Sequence, residues 1–198
     1  MSVLQLASAS PRRADLLRQI GAPFQRLTPP AIDESAYPGE SPRDYVARMA
    51  AEKAEAGQTR VADPASVVVL GADTTVVLDD RPLGKPVDTE DARAMLRRLS
   101  GIKHRVLSAV SVRVGAEHKL RVVETAVHFV ELDDELIERY VATGEPMDKA
   151  GAYGIQGFGA VLVARVNGSY SNVVGLPLAE TRQLLDWAGI PYWLDQDA

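Results

Sequence analysis

Residues 67–78 have the sequence VVVLGADTTVVL. The segment Val67-Val68-Val69-Leu70 is short, apolar and mostly β-branched, which is typical of a strand covered on both faces. We expect this strand to end at Gly71-Ala72-Asp73-Thr74-Thr75 and a second short strand to cover Val76–Leu78. Open α/β sheets bind their ligands at the carboxyl ends of such strands. The segment therefore predicts an α/β fold with the Asp73 carboxylate in its ligand-binding region.

Strand-like and helical patterns alternate along the rest of the chain, which also favours the α/β class. Two Ser-Pro pairs, Ser10-Pro11 and Ser41-Pro42, predict helix starts, because Ser caps a helix and Pro is tolerated at its first position. The other predicted elements are strands over Val3–Ala7, Val106–Val114, Arg121–Val130 and Val161–Val166, helices over Thr89–Ser100, from Asp133 or Asp134 to Gly144 and over Pro177–Trp187, and a loop over Thr28–Gly39.

Composition excludes several classes of protein. The 198 residues carry 22 Lys and Arg against 27 Asp and Glu, so the net charge of −5 argues against binding a nucleic-acid polymer. The absence of cysteine excludes disulfides, thiolate catalysis and Cys-ligated zinc. No apolar run approaches the roughly 20 residues of a membrane span, and the N-terminus lacks the pattern of a signal peptide. We therefore expect a cytoplasmic protein that does not associate with membranes.

The segment Ser8-Ala9-Ser10-Pro11-Arg12-Arg13 is a candidate anion site. The start of a helix carries unpaired backbone N–H groups and the positive end of the helix dipole, and both favour a phosphate. Two hydroxyls and two guanidinium groups add further donors, since Arg can contact two phosphate oxygens at once. The alternative is a plain Ser cap with surface arginines, and spacing does not decide between the two.

Asp73 could hold a divalent cation or accept a proton from water. Thr74 and Thr75 beside it could donate hydrogen bonds to an oxyanion or to a nucleobase. The alternative is that Asp73 caps a turn.

Four more polar residues could face a ligand. Lys53 lies on the apolar side of its predicted helix and Lys85 lies between a Gly and a Pro, so either could meet a phosphate or extend into solvent. Glu34 could be a metal ligand or a solvated loop charge. Gln156 is a polar side chain among glycines, which allow backbone to approach a ligand closely. The alternative is a flexible linker, which the interleaved Tyr153, Ile155 and Phe158 disfavour.

Several familiar catalytic motifs are absent from the sequence. There is no G-x-x-x-x-G-K-[ST] phosphate loop, no G-x-S-x-G elbow and no H-E-x-x-H zinc motif. The histidines His104, His118 and His128 lie on or near predicted strands. We expect them to be ordinary strand-face residues and not metal ligands.

Taken together, these segments resemble the Maf family of nucleotide pyrophosphatases. The resemblance rests on six segments in order: residues 6–13 (LASASPRR), 51–54 (AEKA), 70–74 (LGADT), 84–86 (GKP), 148–157 (DKAGAYGIQG) and 174–177 (VGLP). It implies a single domain over residues 1–198, with an elongated mixed sheet, flanking helices and two lobes around a cleft. It also implies hydrolysis of a nucleoside triphosphate to the monophosphate and pyrophosphate with a divalent cation, Mg²⁺ or Mn²⁺.

Within that family, this chain is similar to the type that accepts dTTP and UTP. It has Arg12, Thr74 and Gln156 at the discriminating positions, where members that favour 7-methyl-GTP carry Trp, Gln and Glu. The chemistry agrees, because uracil and thymine present an N3–H donor beside carbonyl acceptors, and a Gln amide offers both an acceptor and a donor.

The resemblance gives each candidate residue an expected role. Asp73 activates the water that attacks the α-phosphorus, or ligates the metal together with Glu34. The residues expected to bind substrate are Ser8, Ser10, Arg12, Arg13, Lys53, Thr74, Lys85 and Gln156. A homodimer is also expected. Two alternatives stay open: a nucleotide-binding regulator of septum formation in which catalysis is incidental, and a nucleotidyltransferase.

Overall fold

The computed structural model describes residues 3–28, 31–61 and 67–193. Its strands are Val3–Ala7 (β1), Phe24–Leu27 (β2), Val67–Leu78 (β3), Arg81–Leu83 (β4), Lys103–Val114 (β5), Glu117–Phe129 (β6) and Val163–Asn167 (β7). Its α-helices are Pro11–Gln19 (α1), Pro42–Gln58 (α2), Thr89–Leu99 (α3), Asp134–Ala142 (α4), Tyr170–Val174 (α5) and Leu178–Ala188 (α6). Three 3₁₀ turns cover Glu145–Asp148, Ala150–Ala152 and Phe158–Leu162.

The strands form one mixed sheet of seven strands in the order β2-β1-β3-β5-β6-β7, with β4 also paired to β3. Strand β1 runs parallel to β2 and β3, and the pairs that β3, β5, β6 and β7 form with one another are antiparallel. Helices flank this sheet, so the predicted α/β class with an elongated mixed sheet is confirmed.

The expected break in the central strand is wrong. Strand β3 runs without interruption over 12 residues, because β5 pairs with it from Val68 to Val77. Along its other edge, β3 pairs with β1 up to Leu70 and with β4 from Val76. Asp73 therefore lies in mid-strand, in a segment that has a neighbouring strand on one side only.

Helix α2 packs very closely against this central strand. A Cβ atom at Gly71 would overlap the backbone nitrogen of Ala54 and would lie 2.6 Å from the carbonyl oxygen of Ala50. Glycine in a strand permits this close approach of a second backbone. The contact fixes the height of α2 above β3, and therefore the position of Lys53 next to Ala54 on the helix.

Two main apolar clusters lie against different parts of the sheet. The first packs α1 and α6 against β1 and β3, and includes Leu17, Leu70 and Leu184. The second packs α3 and α4 against the other end of β3 and against β6, and includes Leu96 and Ile137.

In the part of the chain that the structure describes, no helix has the length and apolar character needed to cross a membrane.

Candidate active site

Between Leu70 and Val76, one edge of β3 has no paired strand among the described residues, and we call this gap the opening in the sheet. The start of helix α1 borders it. Strand β1 ends at Ala7, and Ser8 leads into α1, whose N-terminal residue is Pro11, as predicted. The N–H group of Ser10 donates to the Ser8 hydroxyl at 3.2 Å. The Ser10 side chain makes no capping hydrogen bond, so this hydroxyl is not used by the helix. The predicted anion site and Asp73 therefore border the same opening in the sheet.

Arg13 joins the two sides of this opening. Its guanidinium donates to the Ser8 hydroxyl at 3.1 Å, to the Thr74 hydroxyl at 3.3 Å and to the carbonyl oxygen of Gly175 at 3.0 Å. Burial lowers the pKa of Arg13, and the charge of Asp73 opposes that shift. An Arg side chain remains protonated at neutral pH, so a fixed positive charge faces the Asp73 side of the opening.

Lys53 brings two carboxylates together. Its ammonium nitrogen lies 2.7 Å from Asp73 Oδ1 and 2.8 Å from Glu34 Oε1. The Asp73 side chain is 12% exposed and the Lys53 side chain 16%, whereas Glu34 is 57% exposed. Asp73 is thus a sheltered carboxylate with a cation bound to one oxygen.

The charges around Glu34 favour its ionised form. Burial acts to raise the pKa of Glu34, but the hydrogen bond from Lys53 and the charges of Lys53, Lys85 and Arg13 outweigh it and the pKa is lowered. Lys85 is exposed, and the carbonyl oxygen of Gly84 accepts a hydrogen bond from the N–H group of Gly151. The charges of Lys53, Lys85 and Arg13 therefore act on Glu34, and those of Lys53 and Arg13 also act on Asp73.

Arg48 holds the loop that carries Glu34. Two of its nitrogens donate to the Glu40 carboxylate at 2.6 and 2.7 Å, and a further bond reaches the Ser35 carbonyl oxygen at 2.9 Å. The Arg48 guanidinium also stacks 3.9 Å from the centre of the Tyr37 ring. No motif in the sequence indicated Arg48 as part of the site, although it lies five residues before Lys53 on α2.

The carboxylate pair fits a divalent cation of the Mg²⁺ type. Asp73 and Glu34 already converge on one cationic atom, Lys53 Nζ, and carboxylate oxygens are the ligands Mg²⁺ prefers. Within residues 3–28, 31–61 and 67–193 there is no group of three or more acidic, His or Cys side chains able to hold a metal. Mg²⁺ commonly binds one or two carboxylates and completes its shell with water and substrate phosphates, so two are sufficient.

The chain is similar to known proteins over almost its whole length. A family model described as Maf-like protein matches residues 3–188. This chain belongs to the Maf-like protein family. A protein of Alcanivorax borkumensis named dTTP/UTP pyrophosphatase is 54% identical over 191 residues, which cover 96% of this chain and 98% of that relative. Proteins with the same name from Shewanella oneidensis and Symbiobacterium thermophilum are 54% and 51% identical, and each match covers at least 94% of both chains.

Two further candidate residues of this Maf-like chain lie on α1 and in the glycine-rich segment. Arg12 extends from the first turn of α1 and forms a 3.4 Å ion pair with Asp148, which belongs to the 3₁₀ turn before the glycine-rich segment. Gln156 is exposed within that segment. Its neighbour Ile155 packs against the first apolar cluster, whereas Tyr153 belongs to the second. The glycine-rich segment therefore crosses from one cluster to the other.

Behind Thr74, a chain of hydrogen bonds supports the Maf-like site. The hydroxyls of Thr74 and Ser108 are 2.8 Å apart, and Ser108 donates to the carbonyl oxygen of Asn172 at 2.8 Å. The Asn172 amide donates in turn to the Val106 carbonyl oxygen and to the Thr125 hydroxyl, both at 3.0 Å. Ser108 and Asn172 were not predicted from the sequence. Two features of the sequence could have indicated them: Ser108 is a small polar residue within an apolar strand, and Asn172 lies near the Gly-Leu-Pro segment.

Proposed function

We propose that this protein hydrolyses dTTP and UTP to the nucleoside monophosphate and pyrophosphate. The observation that carries the proposal is the sheltered Asp73 carboxylate, which is held by Lys53 and lies close enough to Arg13 of α1 for their charges to interact. The names of relatives that are about 50% identical over nearly the whole chain support the same reaction.

In the proposed reaction, a water molecule attacks the α-phosphorus. A new P–O bond forms to the water oxygen, and the bond between the α-phosphorus and the bridging oxygen of pyrophosphate breaks. Lys53 engages Oδ1 of Asp73, so we assign the proton that the water loses to Oδ2. A positioned carboxylate of this kind contributes about 10²- to 10⁴-fold to rate as a general base.

Asp73 and Glu34 would hold a divalent cation, Mg²⁺ or Mn²⁺, in this proposal. Such an ion offsets the charge that develops on the leaving pyrophosphate. Because both carboxylates contact Lys53 in the structure, the ammonium group would have to share or yield part of this position when the metal binds.

The triphosphate chain would lie along the cationic border of the opening. The α1 N-terminus supplies backbone N–H groups, and Ser10 and Ser8 supply hydroxyls beside them. Arg13 has two donors left after its three bonds to protein atoms, since a guanidinium has five. Lys53 and Lys85 add two ammonium groups at the Glu34 side.

Base selection is assigned to Arg12, Gln156 and Thr74. The Gln156 amide can pair with the donor and acceptor edge of uracil or thymine. The Thr74 hydroxyl is already engaged by Arg13 and Ser108, so we assign it an indirect part through the position of Arg13.

The cytoplasmic location and the homodimer expected above also belong to this proposal, and light scattering of the purified protein would measure the oligomeric state.

A panel of nucleotides tests the proposal. Purified protein is incubated with canonical and modified nucleoside triphosphates, with Mg²⁺, with Mn²⁺ or with chelator, and pyrophosphate release is measured in the absence of any acceptor. We expect dTTP and UTP to be hydrolysed fastest and chelator to abolish turnover. Absence of pyrophosphate release with every nucleotide and metal would refute the enzymatic proposal and favour a nucleotide-binding regulator.

A further inference from the structure

The turn that carries Gln156 is folded around the carboxylate of Glu145. Glu145 Oε2 accepts a hydrogen bond from the N–H group of Phe158 at 2.8 Å, and Oε1 accepts one from Gly159 at 3.0 Å. The Tyr140 hydroxyl donates to Oε1 at 2.9 Å and accepts from the N–H group of Gly154 at 3.1 Å. Two side chains thus bind the backbone on both sides of Gln156.

Three glycines of this turn lie close to neighbouring side chains. A Cβ atom at Gly157 would overlap the Glu145 carboxylate, with its carbon only 2.7 Å away. A Cβ at Gly159 would lie 2.6 Å from the Tyr140 hydroxyl, and one at Gly154 would lie 2.6 Å from the Lys149 side chain. The end of the Lys149 side chain could move away, but a Cβ at Gly159 would also lie 2.6 Å from the carbonyl oxygen of Gly154. The turn backbone is therefore fitted closely to Glu145 and Tyr140.

The residues that bind the turn are themselves fixed. Tyr140 is buried on α4 within the second apolar cluster. The Lys149 ammonium donates to the Glu145 carbonyl oxygen at 2.7 Å, so the backbone of Glu145 is also held. Burial acts to raise the pKa of Glu145, but the N–H groups of Gly159 and Phe158 and the Tyr140 hydroxyl outweigh it and the pKa is lowered. The carboxylate is therefore ionised at neutral pH and accepts all three hydrogen bonds as an anion.

We propose that Glu145 is a specificity-positioning residue, which fixes the Gly154–Gly159 turn so that the Gln156 amide faces the nucleobase. This inference rests on the proposed reading of the base by Gln156. Glu145 itself touches neither the base nor the reacting phosphorus in this proposal. Its effect should therefore appear in the choice between nucleotides, and only through Gln156.

The test compares three variants by the ratio of kcat/KM for UTP to kcat/KM for CTP. In Glu145→Gln the amide nitrogen cannot accept the hydrogen bond from Phe158 or Gly159, so one end of the turn is released. We expect the ratio to fall about tenfold, the lower end of the range for losing one hydrogen bond to a charged group. Glu135→Gln, on the exposed surface of α4, is the matched control and should keep the wild-type ratio.

A double variant separates positioning from a structural role. If Glu145 acts through Gln156, Glu145→Gln combined with Gln156→Ala should have the same ratio as Gln156→Ala alone. Equal loss of kcat/KM for UTP and CTP in Glu145→Gln, or additive effects in the double variant, would overturn the inference. Should Glu145→Gln fail to fold, Tyr140→Phe removes the hydroxyl that links Glu145 to Gly154, and the same comparison is made with it.

The same data distinguish this inference from the proposed function. If Gln156→Ala changes the ratio and Glu145→Gln does not, the positioning role is wrong and base reading stands. If Gln156→Ala leaves the ratio unchanged, base reading by Gln156 is wrong and the positioning role falls with it. Loss of hydrolysis in the wild type would contradict the enzyme itself.

Discussion

Gly71→Ala tests how the fold places the Lys53 ammonium next to Asp73. The added Cβ would lie 2.6 Å from the Ala50 carbonyl oxygen and 2.9 Å from the Ala54 Cα, and both are backbone atoms that no rotamer change can remove. Ordinary contact begins near 3.4 Å, so helix α2 must move away from β3 by roughly 0.8 Å. The 2.7 Å contact between Lys53 and Asp73 would lengthen by a comparable amount and leave hydrogen-bonding range.

We expect Gly71→Ala to lower kcat about 100-fold, because a displacement near 1 Å in a catalytic group has an effect of that order. We also expect it to lower the free energy of unfolding by about 1–3 kcal/mol, the usual effect of overpacking. Pyrophosphate release and urea denaturation measure the two effects. Gly84→Ala, where an added Cβ meets no atom within 4 Å, is the control for stability. Wild-type turnover and stability in Gly71→Ala would refute the reasoning.

Three more predictions follow from the described contacts. Arg48→Met releases the loop that carries Glu34, so we expect the Mg²⁺ concentration for half-maximal rate to rise about tenfold with kcat at saturating metal little changed; an unchanged metal titration would contradict this. Arg48 lowers the pKa of Glu40 to about 2, so the ionised carboxylate stabilises the fold above its ordinary pKa. This stabilisation is lost as the pH falls towards 2. We expect the free energy of unfolding of Arg48→Met to show no such loss in an acid titration. Burial lowers the pKa of His104 to about 4, so the neutral ring stabilises the fold above about pH 6.5, and about 3 kcal/mol is lost as the pH falls through 4. Denaturant unfolding of His104→Phe between pH 4 and 7 should show a flatter dependence on pH, and an unchanged slope would exclude His104 as the source.

Local signals in the sequence predicted many of the elements. Ser10-Pro11 and Ser41-Pro42 mark the starts of α1 and α2, and Asp133 caps α4. The short strands β2 and β4 and the short helix α5 were not predicted, because each has only three to five residues and therefore little pattern of its own. The predicted break at Gly71-Ala72-Asp73-Thr74-Thr75 was wrong for a different reason. Pairing with β5 keeps those residues extended, and glycine there serves the packing of α2.

The candidate site shows the same division between local and distant information. Residue types and motifs identified Asp73, Lys53, Glu34 and Arg13, but not their partners. Arg13 and Gly175 are 162 positions apart in sequence, and their hydrogen bond depends on the packing of α5 beside α1. Arg48 and Glu145 escaped notice because each acts on a loop backbone, and nothing in a charged residue's own sequence context indicates that.

The catalytic role of Asp73 is the central claim, and one comparison tests it most directly. Asp73→Asn keeps the size of the side chain and removes its ability to take the proton from water. We expect kcat for UTP to fall by about 10³-fold or more, with the calorimetric Kd for a non-hydrolysable UTP analogue within about threefold of wild type. Asp79→Asn, the same change in the exposed turn after β3, is the matched control and should keep wild-type turnover. Turnover within about tenfold of wild type in Asp73→Asn would contradict the account.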